Sequence, residues 1–168
     1  PSGKQILVET RDEVRLASEI RMVPIDGGPS SRVYTIEQNG LLSGGRGFLS
    51  EDEVVARSVD GKELYRIRTS GGAPELITTV TGQGDRALFS YRMPRPGGRY
   101  LMASTWSPST KARECFRIDL ETGEASLVLE DARDLHLLSD GHLAFVRDQA
   151  LWVAPFDPET IQVTGPAK

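Results

Sequence analysis

From Glu63 to Thr79 apolar and polar residues alternate in a way that predicts two paired strands. Leu64, Arg66 and Arg68 fall on one side of an extended run, Tyr65 and Ile67 on the other, and a second run follows from Leu76. Between them lies Ser70-Gly71-Gly72, and a glycine pair takes the positive φ that a tight antiparallel connection needs. The pattern predicts a β-hairpin, and versions of it recur along the chain.

Four hairpin-leading strands align, over residues 20–28, 64–72, 115–123 and 151–157. Their starts lie 44, 51 and 36 residues apart, around the 40 to 50 residues that one propeller blade occupies. A strand apolar on both faces precedes each of them: Ile6-Leu7-Val8, Val54-Val55-Ala56, Leu101-Met102-Ala103 and Leu143-Ala144-Phe145-Val146. Each of these follows a turn of Ser, Pro, Asp or Gly residues, such as Ser139-Asp140-Gly141. Short inner runs come before three of the turns (Phe48-Leu49, Tyr91-Arg92-Met93 and Leu135-His136-Leu137-Leu138), and outer runs follow the glycine turns over 31–36, 75–80, 126–129 and 161–165.

The expected fold is all-β, with about four propeller blades of four antiparallel strands in one segment over residues 1–168. The blades fall at about 1–36, 45–80, 88–130 and 134–165, and the first lacks its inner strand. The arrangement predicts a partial propeller or half of a dimeric ring. No convincing helix is present, because the best helical candidate, residues 12–21, falls where the repeat wants a loop and a strand. Irregular connections are expected over 37–46, 81–88 and 106–113, and loops of this kind carry most function in repeat folds of β-strands.

Composition narrows the function classes. A 168-residue chain that is 38% hydrophobic and 26% charged can bury one sizeable core. A net charge of -4 with scattered Lys and Arg argues against a nucleic-acid partner. No apolar run approaches the ~20 residues of a membrane-crossing helix, and no signal peptide is read at the start. Cys115 is the only cysteine, so no internal disulfide is possible. Its position in the alternating run Cys115-Phe116-Arg117-Ile118 predicts a buried structural thiol.

With the repeats aligned, the chain resembles the WD-repeat-like β-propellers of the TolB type. The residues that carry the resemblance are Phe48-Leu49-Ser50-Glu51-Asp52-Glu53-Val54-Val55, leading to Leu64-Tyr65-Arg66-Ile67 and Ser70-Gly71-Gly72-Ala73-Pro74-Glu75-Leu76-Ile77-Thr78. The closing passage from Asp140 to Asp157, with Leu151-Trp152-Val153-Ala154-Pro155-Phe156, is similar to blades attached to bacterial serine/threonine kinases. Related blades occur in prolyl-oligopeptidase-like peptidases. The resemblance implies a non-enzymatic binding or scaffold module that recognises a protein, peptide or small ligand through its blade loops. The alternative it implies is the propeller portion of a larger peptidase or lyase, or the sensor region of a kinase. The compartment is left open, a periplasmic or extracytoplasmic setting being slightly favoured, and open strand edges at the ends of a partial ring make a homodimer that closes the ring a further expectation.

Few individual residues stand out as chemistry within this frame. Gly40-Leu41-Leu42-Ser43-Gly44 lacks the spacing of a nucleophile elbow and no βαβ pattern surrounds it, so Ser43 reads as a loop residue and no catalytic residue is expected. His136 and His142 sit on consecutive strands, but two ligands without a third make no metal site, and no cofactor is expected. His136 is expected to face the central channel or a polar strand face. Gly82-Gln83-Gly84-Asp85-Arg86 reads as a turn because no helix comes after it to complete a phosphate cradle. The pairs Glu51 with Glu53 and Asp131 with Asp134 read as solvated turn residues, and Trp152 and Phe156 as packing anchors between blades. Trp106 opens a polar loop, and with Arg46 and Arg86 in loops expected at the same end it forms the candidate recognition surface.

Overall fold

A computed structural model describes residues 3–12, 17–36, 42–79, 85, 87–92 and 97–168. The first sheet joins β1 (Gln5–Asp12), β2 (Ala17–Pro24) and β3 (Ser31–Ile36) in that order. The second joins β4 (Leu42–Phe48), β5 (Glu53–Ser58), β6 (Glu63–Arg68) and β7 (Glu75–Thr79). The third joins β8 (Ala87–Arg92), β9 (Tyr100–Trp106), β10 (Arg113–Asp119) and β11 (Ala125–Glu130). The fourth joins β12 (Arg133–Leu138), β13 (His142–Arg147), β14 (Ala150–Asp157) and β15 (Gln162–Val163). Every pairing is between chain neighbours and antiparallel, so each sheet is a meander. No helix occurs among the described residues, and so none is long and apolar enough to cross a membrane.

The doubly apolar strands are explained by what lies on each side of them. In β5, Val54 and Ala56 enter the core shared with the first sheet, while Val55 between them enters the core shared with the third. In β9, Leu101 and Ala103 point to the second sheet and Met102 to the fourth. A strand with a sheet packed on either side has no solvent face, so its sequence loses the polar half of the alternation. Hydrogen bonds across the sheets set their spacing. Leu88 N donates to Gly61 O at 2.7 Å and Gly97 N to Leu49 O at 2.7 Å, from the third sheet to the second. Arg66 Nη2 returns a bond to Leu120 O at 2.9 Å.

The repeat extends to irregularities that sequence alignment does not display. The register slips between β4 and β5, β8 and β9, and β12 and β13, and again between β2 and β3, β6 and β7, and β10 and β11. Bulges at matching places increase strand twist, the distortion expected of sheets that splay around a common centre. The turns Asp119-Leu120-Glu121-Thr122-Gly123 and Asp157-Pro158-Glu159-Thr160-Ile161 are also equivalent. Each uses its Asp to accept from the backbone two residues on, at 2.9 Å and 2.8 Å. Gly123 and Ile161 both have positive φ, 74° and 51°. A β-branched residue resists that conformation, and full burial of Ile161 in the core between the third and fourth sheets holds it there.

Three expectations are corrected. The stretch 37–46 is not irregular throughout, because β4 begins at Leu42 and carries Ser43 and Arg46 within the strand. Ser43-Gly44-Gly45-Arg46-Gly47 has no apolar alternation to advertise a strand, and its glycines accommodate the slip between Ser43 and Gly47. The third inner strand, β8, likewise starts at Ala87, inside the expected connection 81–88. The outer strand of the fourth sheet is only Gln162–Val163, although Lys168 continues the contact by exchanging backbone bonds with Val153 at 2.9 and 3.0 Å. Cys115 is fully buried and Phe156 nearly so, with Trp152 packed beside them, as their alternation predicted.

Both outermost faces remain uncovered. On the first sheet this exposes Ile6 at 52%, and on the fourth Leu151 at 71%, where the equivalent faces of inner sheets are shut.

Candidate functional site

The site lies where the third and fourth sheets meet, at the end that carries the β9–β10, β11–β12 and β13–β14 connections. Trp106 closes β9 and stands directly opposite Arg113 at the start of β10. The Arg113 guanidinium lies 4.8 Å from the indole centroid and the Lys111 ammonium 5.8 Å, both within cation–π range. The connection between them is pinned from below. Ser107, buried, donates from its hydroxyl to Asp85 Oδ1 at 2.5 Å, and Ser109 N donates to Asp85 Oδ2 at 2.7 Å. The Ser107 N–H closes the loop onto Ala112 O at 3.0 Å. The Ser107 hydroxyl, and after it the Ser109 bonds, hold the Asp85 carboxyl below its ordinary range despite an opposing effect of desolvation. The tether is therefore ionised at neutral pH.

The second wall is the link from β11 to β12. Ala132 N donates to Arg113 O at 3.1 Å, which ties the fourth sheet to the third and sets Asp131 and Arg133 on either side of a buried alanine. The third wall is the turn from β13 to β14. Arg147 pairs with Ala150, leaving Asp148 and Gln149 as a two-residue loop with φ of 50° and 64°. Two successive positive φ values define the turn whose twist matches a hairpin. Arg147 is fixed on three sides: its guanidinium lies 5.2 Å from the Phe145 ring, Nη2 donates to Glu130 O at 2.8 Å, and its own carbonyl accepts Trp152 Nε1 at 3.2 Å.

These walls enclose a cleft of about 380 Å³ lined by Trp106, Lys111, Arg113, Asp131, Arg133 and the β13–β14 turn. Among the described residues, six that are not glycine have positive φ, and Lys111, Asp131, Asp148 and Gln149 are four of them. Left-handed backbone gathers in the loops that line this cleft, and together with the half-buried indole it marks the cleft as the candidate site. Chemically it offers a half-buried indole, four cations and two carboxylates. Among the described residues no group of His, Cys, Asp and Glu could hold a metal ion.

Of the residues singled out from sequence, Trp106 lies at the centre of this cleft. Arg46 is in strand β4, not in a loop, and Arg86 falls outside the described residues. His136 is exposed on β12, in register with Ala144, and does not line the cleft. The residues that the sequence reading missed are Lys111, Arg113, Arg133 and Arg147. The one available signal was Asp148-Gln149 between two alternating runs, which sets a tight turn beside Arg147.

No family model matches the chain, and no curated protein matches it. Solved structures do. A calcium-binding protein, regucalcin, from Agrobacterium tumefaciens str. C58 is 18% identical over 95% of this chain and 57% of its own, with a TM-score of 0.63. A puromycin-hydrolysing peptidase of Mycobacterium tuberculosis is 14% identical over 100% of this chain and 31% of its own, with a TM-score of 0.65. An oligogalacturonate lyase in complex with manganese is 16% identical over 96% of this chain and 60% of its own, with a TM-score of 0.53. The chain thus spans less than two thirds of each structure, and at these identities the likeness is one of fold. Two of the three are enzymes by name, which overturns the expectation that the chain is not an enzyme. A nucleophile elbow bears on one reaction class only, and a single fold hosts many activities. The chain is an all-β protein assembled from β-propeller blades.

Proposed function

We propose that this chain is the ligand-recognising part of a TolB-like β-propeller and that it holds a small ligand, or the tip of a peptide, in the cleft around Trp106. One observation carries the reading: three connections from two separate sheets converge on a half-buried tryptophan. Packing alone asks for no such convergence, because the sheet cores are closed without it. Holding a ligand in place is a step that binding proteins and enzymes share, and the cleft serves either role.

Tryptophan fluorescence tests this directly. The chain has two tryptophans, and Trp152 is packed in the adjoining core. Titration with a panel of sugars, sugar acids, nucleotides and short peptides is expected to shift the emission of the wild type. In Trp106→Phe the shift is expected to vanish while the Trp152 emission is retained. A panel that leaves the wild type unchanged, or a shift that survives Trp106→Phe, would contradict the proposal.

A further inference from the structure

We infer that the ligand of the Trp106 cleft is a small hydroxylated molecule bearing one oxyanion, a carboxylate or a phosphate. The inference rests on the proposal that this cleft binds a ligand, and it adds the ligand's chemistry. The protein as a whole is acidic, with a net charge of -4, yet the cleft reverses that sign. Lys111, Arg113, Arg133 and Arg147 face it against Asp131 and Asp148, an excess of two positive charges. Asp134 stands 4.0 Å from Arg133 and moderates that one cation from outside the lining.

Three of the four cations are held in place before any ligand arrives. Lys111 and Arg113 lie over the Trp106 ring, and Arg147 lies over Phe145 while bonded to Glu130 O. Long cationic side chains normally lose rotamer freedom on binding, and anchoring them beforehand lowers that cost. Arg147 is also incompletely satisfied. One bond, from Nη2 to Glu130 O, leaves most of its five-donor fork for paired donation to an oxyanion. As carboxylates, Asp131 and Asp148 can only accept hydrogen bonds, so they suit hydroxyl donors on the same ligand and repel a second anionic group. A volume of about 380 Å³ lies at the small end of ligand pockets, and it suits a single sugar-sized molecule.

Calorimetric titration of the whole chain with D-galacturonate, glucose 6-phosphate and neutral galactose separates the possibilities. At least one of the two acids is expected to bind tenfold or more tightly than galactose, and which acid binds names the oxyanion. Binding is expected to weaken as salt is raised. Lys111→Gln with Arg133→Gln removes two exposed cations, and affinity for the acid is expected to fall about tenfold or more, a larger loss than for galactose. Asp131→Asn, which keeps a residue tolerant of positive φ, is expected to tighten the acid severalfold. A fold defect would not produce that gain, and unchanged thermal midpoints of the variants confirm that they fold. Galactose binding as well as the acids, or a double variant that binds them normally, overturns the inference. If no acid binds but neutral ligands still shift Trp106 emission, this inference falls and the proposed function stands. If nothing binds at the cleft, both fall.

Discussion

Replacing Phe145 with alanine is expected to destabilise the protein by about 3–5 kcal/mol. The ring is fully buried among Leu143, Ala154, Met102 and Cys115, where the third and fourth sheets meet. A domain of this size has only about 5–15 kcal/mol in total, so one substitution removes a large share. Urea unfolding checks it, with Leu151→Ala, at a side chain 71% exposed, as a reference expected to change stability by about 0.5 kcal/mol or less. Because the Arg147 guanidinium rests on the Phe145 ring, the cleft should loosen along with the core. A loss below about 1 kcal/mol would mean that the two sheets are not packed through this residue.

The second large effect is expected at Gly123, where the turn between β10 and β11 presses against the outer strand of the neighbouring sheet. A methyl group added there would be driven into the carbonyl oxygen of Ile77, and that backbone cannot move aside. The same approach lets Thr78 Oγ1 donate to Gly123 O at 2.6 Å. Left-handed φ costs a substituted residue about 1–2 kcal/mol, and forcing the contact adds about 1–3 kcal/mol. Gly123→Ala is therefore expected to lose about 2–5 kcal/mol. Gly97→Ala separates the two contributions. Gly97 has φ of 73°, beside the 74° of Gly123, but open space around it, so only the conformational part is expected there. Equal losses at the two positions in thermal or urea unfolding would contradict the close approach between sheets.

Much of this architecture was readable along the chain, for reasons visible in particular residues. The Gly71-Gly72 turn and the alternation around Leu64 to Ile67 are local properties, and β6 and β7 sit where they predict. The doubly apolar run Val54-Val55-Ala56 reports that sheets lie on both sides, and it enters two different cores. Failures came where local pattern is silent. Ser43 to Gly47 forms a strand without apolar side chains to alternate, and it pairs because β5 offers it an open edge. The Gly123 contact with Ile77 depends on how two sheets dock, and one strand's text does not specify that.

The site obeys the same rule. Trp106 stood out because an aromatic at the edge of a polar loop is unusual for a buried anchor. Its proposed companions, Arg46 and Arg86, were chosen from loops elsewhere in the chain. Its actual companions come from both sides of the sheet boundary, with Arg147 more than 40 residues away in sequence. They converge through the bond from Ala132 to Arg113 and the bond from Arg147 to Glu130. Long-range docking of that kind places the cations, and each of them read alone looks like an ordinary solvated surface residue.

The central claim is that three chain-distant connections make one ligand cleft, and amide chemical-shift mapping during titrations with galacturonate, glucose 6-phosphate and galactose tests it most directly. The predicted result is a set of shifts at the Trp106 indole, Lys111, Asp131 to Arg133 and Arg147 to Gln149, with the outer strands at Leu76 and Leu127 unmoved. Shifts scattered over those outer strands, or a spectrum unaltered at saturating concentrations of all three ligands, would contradict it.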